Sequence, residues 1–242
     1  MKLISDNTKK DPTPMRTHKG RVLVLGGGMD YIRMFYENGW NGANDIMDAD
    51  VICFTGGEDV DPEFYGEKAL SVSRFNTSRD NFEMEVYCKA VVEDIPMVGI
   101  CRGGQFLNVM SGGSLWQDVN GHLGRHEIKD TFSGEIIQGM SSTHHQMMRP
   151  CKDGKILAHA AKSTLKLGFG QEMKRDTPEM DDVEVVWYEN GKSLCFQPHP
   201  EFGGYPDCRT YFFDLFDKYI GEAVQQKQDE QMKAILSATK GK

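Results

Sequence analysis

One cysteine in the sequence is placed where covalent chemistry is expected. Cys101 follows the apolar run 96–100, precedes a segment of helical character, and has Gly99 and Gly103 two residues away on either side. A nucleophile on a sharp strand-to-helix turn has a strained backbone and no room for bulky neighbours at those two positions, where glycine is therefore favoured. Cys101 is a candidate nucleophile.

A thiolate nucleophile needs a partner base, and His199 is the best-placed histidine. A helix N-terminus and a nearby imidazole both favour the thiolate form of a cysteine. The helix predicted from Gly103 supplies the first, and His199, just past a strand end, can supply the second. Glu201, two residues further on, has the spacing to fix the imidazole tautomer. The pattern predicts a nucleophile, a base and an orienting acid in that order.

Two adjacent histidines compete with His199 for the role of base. His144 and His145 lie in the polar segment 141–146, which is predicted to be a loop and which could equally bind substrate. Adjacent histidines point in different directions and no third ligand has suitable spacing, so we expect no metal site. We also expect no cofactor, since the glycine turn 26–28 has Tyr31 where a dinucleotide fingerprint needs its last glycine.

Acyl transfer to a cysteine also requires hydrogen-bond donors for the oxyanion. The backbone N–H of Arg102, directly after the candidate nucleophile, is one such donor. The turn Gly56–Gly57, which ends the strand predicted before it, can present another. A glycine pair of this kind is also an ordinary way to end a strand. Its role as a donor is suggested by the presence of Cys101 and His199 in the same chain.

Alternating strands and helices in the first half of the chain are expected to position these groups. Apolar runs predict strands over 21–25, 50–55 and 96–100, with helices over about 29–38, about 78–94 and from residue 103. In the second helix, Ser78 is the candidate N-cap. Phe82, Val86 and Ala90 share one face of it. The alternation predicts a parallel sheet covered on both faces.

The second half of the chain has the pattern of shorter, antiparallel strands. Strands are predicted over 124–132 and 134–137, and Asn190-Gly191 joins 183–188 to 193–196 as a hairpin. A last helix is predicted over about 206–220. The fold class is therefore α/β: a single three-layer domain over 21–220 with a mainly parallel central sheet and a smaller antiparallel portion, between a flexible leader (1–20) and a polar tail (221–242).

Composition narrows the classes of function. The net charge is −8 and no cluster of Lys and Arg is present, which argues against nucleic-acid binding. No run reaches the roughly 20 apolar residues that a membrane-spanning helix needs. Residues 1–20 lack the apolar core of a secretory signal, so we expect a cytoplasmic protein. The six cysteines form no C-x-x-C pair, which argues against a zinc or redox site. Nothing in the sequence indicates the oligomeric state.

Taken together, these motifs resemble those of a known superfamily. The chain is similar to class I glutamine amidotransferase-like proteins, and among them most resembles the γ-glutamyl hydrolases typified by γ-glutamyl-γ-aminobutyrate hydrolase. The matching features are, in chain order, 56–62 with 65–67, Arg79-Asp80 with Phe82-Glu83, 99–105, 107–109 with 112–118, 144–146, and Gln197 with 199–201.

The resemblance implies a flavodoxin-like fold and a set of functional residues. The triad would be Cys101, His199 and Glu201, with oxyanion donors at Gly57 and Arg102. An arginine directly after the nucleophile is typical of the hydrolase branch of the superfamily.

The resemblance also implies residues that shape a γ-glutamyl pocket. They are Gly56, Gln105, His144 and His145. One departure concerns Pro198, which stands where the family usually has Phe. Proline fixes its own φ and removes a backbone donor next to His199, so the pose of that imidazole is the point to check.

The sequence therefore favours cysteine-dependent hydrolysis of a γ-glutamyl amide, either glutamine or a γ-glutamyl amine, through a thioester on Cys101 with release of glutamate. The partner would be a small-molecule γ-glutamyl substrate. Two alternatives stay open. In one, the chain is a glutaminase subunit that passes ammonia to a separate synthetase acting in trans. In the other, it is a catalytically silent member of the fold that binds or assembles. The sequence does not identify the amine that leaves.

Overall fold

The structure is a computed structural model that describes residues 18–162, 166–168 and 182–240. Most of the predicted leader lies outside these residues. No helix in the described ranges is long and apolar enough to span a bilayer.

Thirteen strands and five α-helices are present in the described residues. The strands are β1 (Gly20–Leu25), β2 (Trp40–Gly42), β3 (Val51–Phe54), β4 (Met97–Ile100), β5 (Ser114–Trp116), β6 (Val119–Asn120), β7 (Leu123–Asp130), β8 (Ile136–Thr143), β9 (Met147–Arg149), β10 (Gly154–Ala160), β11 (Lys166–Leu167), β12 (Val183–Tyr188) and β13 (Ser193–Phe196). The helices are α1 (Met29–Glu37), α2 (Thr77–Val92), α3 (Arg102–Met110), α4 (Pro206–Phe216) and α5 (Glu222–Lys240).

The central sheet has nine strands in the order β2-β1-β3-β4-β13-β12-β10-β7-β8. The first five pair in parallel and the remaining pairings are antiparallel. The predicted α/β fold with an antiparallel portion in the second half is confirmed. The antiparallel strands extend the same sheet and make up four of its nine strands, so the sheet is less parallel than expected. The hairpin predicted around Asn190-Gly191 is formed by β12 and β13.

Helices cover both faces of the parallel part of the sheet. Val51 and Cys53 of β3 belong to a core cluster with residues of α1 and α4. Ile52 and Phe54, which alternate with them, pack on the other face with residues of α2 and α3. Every residue of β3 and β4 is buried, as expected for parallel strands between two helical layers. The predicted three layers are present.

The structure corrects the prediction for α2. Its N-cap is Asn76, whose side chain accepts a hydrogen bond from the Arg79 N–H at 3.1 Å, whereas Ser78 lies inside the helix. Phe82, expected on the inner face, is 56% exposed. Ala90 is buried and Val86 is partly buried against the core, as predicted, but the other buried positions are acidic: Asp80 and Glu83 are at most 1% exposed. Hydrophobic spacing could not predict that Asp80 and Glu83 are buried, because they pack against the charged side chain of Arg102.

Two segments in the second half also differ from the predictions. The strand expected over 134–137 runs as β8 to Thr143, so the segment predicted to be a polar loop begins inside the sheet. The last helix stops at Phe216 and continues through a π-helical turn, Asp217–Gly221, into α5. The polar segment expected to be a tail is therefore helical through residue 240. Its Gln, Lys, Glu and Ala residues are good helix formers.

A buried ion pair joins α2 to α3. The guanidinium of Arg102, in the first turn of α3, contacts the carboxylates of both Asp80 and Glu83. Glu83 also accepts a hydrogen bond from Nε of Arg79 at 2.8 Å. Burial raises the pKa of Asp80, although the charge of Arg102 opposes this effect. The start of α3, and with it Cys101, is thus fixed to α2 by paired charges shielded from water.

Replacing Arg102 tests this connection. In Arg102→Met two carboxylates are left without their buried cation, and we expect the free energy of unfolding to fall by about 3–5 kcal/mol near pH 8. Without Arg102 the pKa of Asp80, already raised by burial, rises further in the folded state, so the loss should shrink as the pH falls and this carboxylate takes up a proton. Denaturant unfolding at about pH 8 and about pH 5 measures both effects.

The matched control is Arg33→Met. Arg33 and Asp30 form an exposed pair at 3.5 Å, with side chains 62% and 66% exposed. Such a pair contributes about 0–1 kcal/mol, so the control should change little at either pH. A loss in Arg102→Met no larger than in the control, or one independent of pH, would contradict the role assigned to the buried pair.

Candidate active site

Three neighbouring parallel strands end at the same edge of the sheet and deliver the candidate site. Strand β4 lies between β3 and β13, with Gly99 opposite Phe54 and Ile100 opposite Phe196. Ligands of open α/β sheets bind outside the carboxyl ends of such strands. Immediately beyond these three ends come Gly56, Cys101 and His199. The structure brings the predicted nucleophile, base and glycine turn together.

Cys101 occupies the strained turn that its glycine neighbours predict. Its φ is 53° and its ψ is −114°, in a region that non-glycine residues rarely adopt. A Cβ on Gly99 would collide with the backbone of Gly103, and one on Gly103 would collide with the backbone of Phe54. The backbone N–H of Cys101 donates to the Phe196 carbonyl at 2.8 Å. The cysteine is held at the N-terminus of α3, where the helix dipole favours a negative charge.

The imidazole of His199 lies against Glu201 and near Cys101, and its Nε2 has no hydrogen-bond partner in the described residues. Its Nδ1 donates to Oε1 of Glu201 at 2.6 Å. Burial favours the neutral ring, but its interactions with Cys101 and Glu201 outweigh burial and raise the pKa of His199 to about 10. These interactions favour the protonated form of the ring, which lies close to the thiol. This is the electrostatic arrangement that a thiolate nucleophile requires.

The backbone around His199 is fixed in spite of Pro198. The His199 N–H donates to Oγ of Ser141 at 2.6 Å, and that hydroxyl lies 3.3 Å from the His199 carbonyl. The ring of Phe202 stacks on the imidazole with centroids 4.4 Å apart. Because the residue after the proline still has its donor and uses it, Pro198 leaves the contact between His199 and Glu201 intact.

The glycine turn after β3 is oriented by Arg79. Its guanidinium donates to the carbonyl of Thr55 at 3.0 Å and to that of Gly56 at 3.2 Å. Because the C=O and N–H of a trans peptide point in opposite directions, fixing the Gly56 carbonyl also fixes the direction of the Gly57 N–H. A Cβ on Gly56 would lie 3.7 Å from Cβ of Cys101 and 3.3 Å from Cε1 of His199. The turn is a close neighbour of the thiol.

The residues predicted to shape a substrate pocket have different surroundings. Gln105 is buried, and its amide donates to the Gln146 carbonyl and to Oε1 of Gln197, both at 3.1 Å. His144 is buried against the ring of His122. His145 has a half-exposed side chain, and its Nε2 lies 3.0 Å from the carboxylate of Asp59. Of the three side chains, that of His145 is the most accessible to a ligand.

Sequence reasoning missed three residues that hold the site in place. They are Tyr31, Arg79 and Ser141. The hydroxyl of Tyr31 accepts a hydrogen bond from the Gly56 N–H at 3.2 Å, and burial together with the charge of Glu201 raises its pKa. A signal existed for Arg79, which stands in a matching motif, but no spacing rule connects any of the three to Cys101.

Comparison with known proteins identifies the family. The sequence matches the Peptidase C26 family over residues 35–167, more than half of the chain. The chain belongs to this family, within the class I glutamine amidotransferase-like superfamily. A crystal structure of a glutamine amidotransferase from Thermotoga maritima superposes with a TM-score of 0.53 at 14% identity, covering 88% of this chain and 93% of that one. That likeness shows a shared fold.

Curated relatives match only part of this chain and part of their own length. A Rickettsia prowazekii protein named as glutamine amidotransferase-like is 36% identical to this chain over 120 residues. These residues are 49% of this chain and 42% of that protein. A Mycobacterium tuberculosis protein named as a glutamine amidotransferase is 34% identical over 186 residues, 74% of this chain and 58% of that protein. The carbamoyl phosphate synthase small chain of Nitratidesulfovibrio vulgaris is 28% identical over 137 residues, 56% of this chain and 32% of that protein. This chain therefore spans less than two thirds of each of these relatives.

The link between Glu201 and His199 can be measured directly. In Glu201→Gln the imidazolium loses a charged acceptor, and a hydrogen bond of that kind contributes about 1.5–3 kcal/mol. Since one pKa unit corresponds to about 1.4 kcal/mol, the pKa of His199 should fall by about one to two units. NMR titration of the histidine ring signals measures it.

The control for this titration is Glu58→Gln, a charge loss at an exposed position on the glycine turn. It should leave the His199 titration close to that of the unmodified protein. An unchanged pKa of His199 in Glu201→Gln, or an equal shift in both variants, would show that Glu201 does not set the charge of the imidazole.

Proposed function

We propose that the protein hydrolyses γ-glutamyl amide bonds through a thioester on Cys101 and releases glutamate. The observation that carries this proposal is the His199 imidazole, which is hydrogen-bonded to the buried carboxylate of Glu201 and lies near Cys101 at the N-terminus of α3. Membership in the Peptidase C26 family supports a hydrolase. The names of its relatives support glutamine or a related γ-glutamyl amide as the substrate class.

The first half of the proposed reaction forms the thioester. The thiolate sulfur of Cys101 attacks the γ-carbonyl carbon, and the electron pair of the C=O bond moves onto oxygen. The N–H groups of Gly57 and Arg102 bind that oxyanion. When the C=O bond re-forms, the C–N bond breaks and His199 gives its proton to the leaving nitrogen. Ammonia or an amine departs, and the γ-glutamyl group stays on sulfur.

The second half regenerates the enzyme. His199, now neutral, takes a proton from a water molecule as the oxygen of that water attacks the thioester carbon. The same two N–H groups bind the second oxyanion. Its collapse breaks the C–S bond and releases glutamate, with the thiolate and the imidazolium restored. The hydrogen bond from His199 to Glu201 keeps the ring oriented through both steps, which is the role of an orienting acid.

A second candidate function is a glutaminase subunit that delivers ammonia to a separate synthetase. The observation that favours it is the match to the small chain of carbamoyl phosphate synthase. The two functions share the chemistry at Cys101 and differ in what becomes of the amine. Glutamate release from γ-glutamyl amines at a rate equal to or above that from glutamine favours the hydrolase. Activity confined to glutamine that rises strongly when a synthetase is added favours the subunit.

Removing the thiol tests the proposed nucleophile. We expect Cys101→Ala to lower glutamate release from glutamine and from a panel of γ-glutamyl amines by at least ~1,000-fold, because loss of a catalytic nucleophile removes most of the rate enhancement. Initial rates of glutamate formation measure it. The substrate with the highest kcat/KM identifies the preferred leaving amine.

The matched control is Cys88→Ala, which removes a free, exposed cysteine on α2. Its rates should equal those of the unmodified protein. Glutamate release by Cys101→Ala at the unmodified rate would rule out the thioester mechanism. A folded, unmodified protein that releases glutamate from no member of the panel would instead favour the catalytically silent alternative.

A further inference from the structure

A cluster of buried ionisable side chains lies behind the candidate active site, in the antiparallel part of the sheet. It comprises His122 just before β7 and His126 within β7, His144 just after β8, and Asp182 just before β12 with Glu184 within β12. Both carboxylates and the imidazoles of His122 and His144 are at most 4% exposed. None of these groups belongs to the proposed catalytic machinery at Cys101. Burial of so many ionisable groups is costly unless their charges and lone pairs are matched.

Hydrogen bonds fix which atoms of the two most buried rings are free. Nδ1 of His144 lies 2.8 Å from the Gln146 carbonyl, which can only accept, so that nitrogen carries the proton. In the neutral ring with that tautomer, Nε2 of His144 is a lone pair. Nε2 of His122 lies 3.0 Å from the carboxylate of Asp182 and donates to it. In the neutral tautomer this leaves Nδ1 of His122 as a second lone pair.

A carboxylate oxygen completes a set of three electron-rich atoms. Oε1 of Glu184 lies 3.0 Å from Nε2 of His126, whereas Oε2 has no hydrogen-bond partner in the described part of the chain. Within the same described residues, Nδ1 of His122 and Nε2 of His144 also have no partner. One donor atom from each of the three side chains lies within 4.8 Å of the other two. Three polar atoms that lack a hydrogen-bond partner lie close together, and Nδ1 of His122 also lies 3.6 Å from Oε1 of Glu184.

We propose that His122, His144 and Glu184 bind one divalent transition-metal ion, with Zn²⁺ the best match. Two imidazoles and one carboxylate form a ligand set typical of zinc, for which ligand distances are about 2.0–2.2 Å. A point between three atoms that are 4.8 Å apart is at most about 2.8 Å from each. Each side chain therefore has to move inward by less than about 1 Å. The cation supplies the positive charge that the three acceptors lack.

The groups around the three ligands are those expected of an outer shell. A ligating histidine usually gives its other N–H to a carboxylate or a backbone carbonyl. His122 does so to Asp182, and His144 does so to Gln146. His126 Nε2 lies 3.0 Å from Oε1 of Glu184, the carboxylate oxygen that also lies 3.6 Å from Nδ1 of His122. The tautomers, the orientation of the rings and the carboxylate are thus set before any ion binds.

The site would cross-link three segments that also support His199. Strand β8 carries Ser141, which binds the backbone of His199, and Ser142, whose hydroxyl donates to the His122 carbonyl at 2.6 Å. The carbonyl of Glu184 accepts a hydrogen bond from the Gln197 N–H at 2.8 Å. A metal ion here stabilises the frame behind the imidazole, in the manner of a structural zinc site, and takes no part in the reaction.

Spacing along the chain could not reveal this site. The pair His144-His145 argues against a metal when read alone, because neighbouring side chains diverge and no third ligand is nearby in sequence. The structure separates the two rings and brings His144 to residues about 20 and 40 positions away on other strands. Ligands drawn from three segments leave no local motif.

The experiment is a metal titration of the full chain after dialysis against a chelator. We expect one Zn²⁺ or one Co²⁺ per chain, a visible absorption band from the Co²⁺ form characteristic of mixed nitrogen and oxygen ligands, and a higher denaturation midpoint with Zn²⁺. Glu184→Gln and His144→Ala should lose the stoichiometric binding and the absorption band. His145→Ala, which removes the adjacent half-exposed ring, should retain both.

Two results would overturn the proposal. One is a folded, unmodified protein that binds no stoichiometric ion and shows no shift in denaturation midpoint, which would mean that protons alone hold the cluster together. The other is equal binding by His145→Ala, His144→Ala and Glu184→Gln, which would place the ion on surface histidines. The titration of the unmodified protein decides the question even when a variant fails to fold, and its outcome is independent of glutamate release.

Discussion

The structure depends on the buried ion pair between Arg102 and the two acids of α2. It joins the first turn of α3 to a neighbouring helix, and the candidate nucleophile is the residue just before that turn. Glu83 also binds Arg79, and Arg79 donates to the carbonyl of Gly56. One network of ion pairs and hydrogen bonds therefore links the start of α3, next to Cys101, with the glycine turn. The side chain of Arg102 is thus an anchor, while its backbone N–H is one of the two proposed oxyanion donors.

This anchoring accounts for how a strained residue is maintained. A positive φ at a non-glycine residue costs about 1–3 kcal/mol and persists only when its surroundings determine it. For Cys101 those surroundings are two parallel strands, the backbone hydrogen bond to Phe196, and a helix that cannot shift without breaking a buried ion pair. On the other side, Ser141 and Glu201 fix the backbone and the ring of His199. Both sides of the candidate site are thus held by hydrogen bonds to their surroundings.

The sequence predicted the features that local rules control. Glycines around Cys101, the turn at Asn190-Gly191 and the close spacing of His199 and Glu201 each have a short-range physical cause, and the structure has these elements where they were expected. The roles of Cys101, His199 and Glu201 in catalysis stay predictions that rest on this geometry. The family resemblance is confirmed by the match to Peptidase C26.

What the sequence missed depends on contacts between distant segments. Acids at Asp80 and Glu83 have the pattern of a helix start or a solvated face, and only the position of Arg102 makes them an inner face. Phe82 was predicted to be buried because its spacing matches Val86 and Ala90, but the helix turns Asp80 and Glu83 toward Arg102 and leaves Phe82 exposed. The cluster of His122, His144 and Glu184 brings together residues in or next to three strands of the antiparallel part. No sequence motif predicts that these three segments lie side by side.

The central claim is that Cys101 is a nucleophile activated by His199. Its most direct test is labelling with a glutamine-like diazo-ketone, followed by peptide mapping. The account predicts one label per chain, on Cys101, with no label on the exposed Cys88 under the same conditions and none on Cys101 in His199→Ala. A Cys101 that stays unlabelled, or that reacts no faster than Cys88, would contradict it.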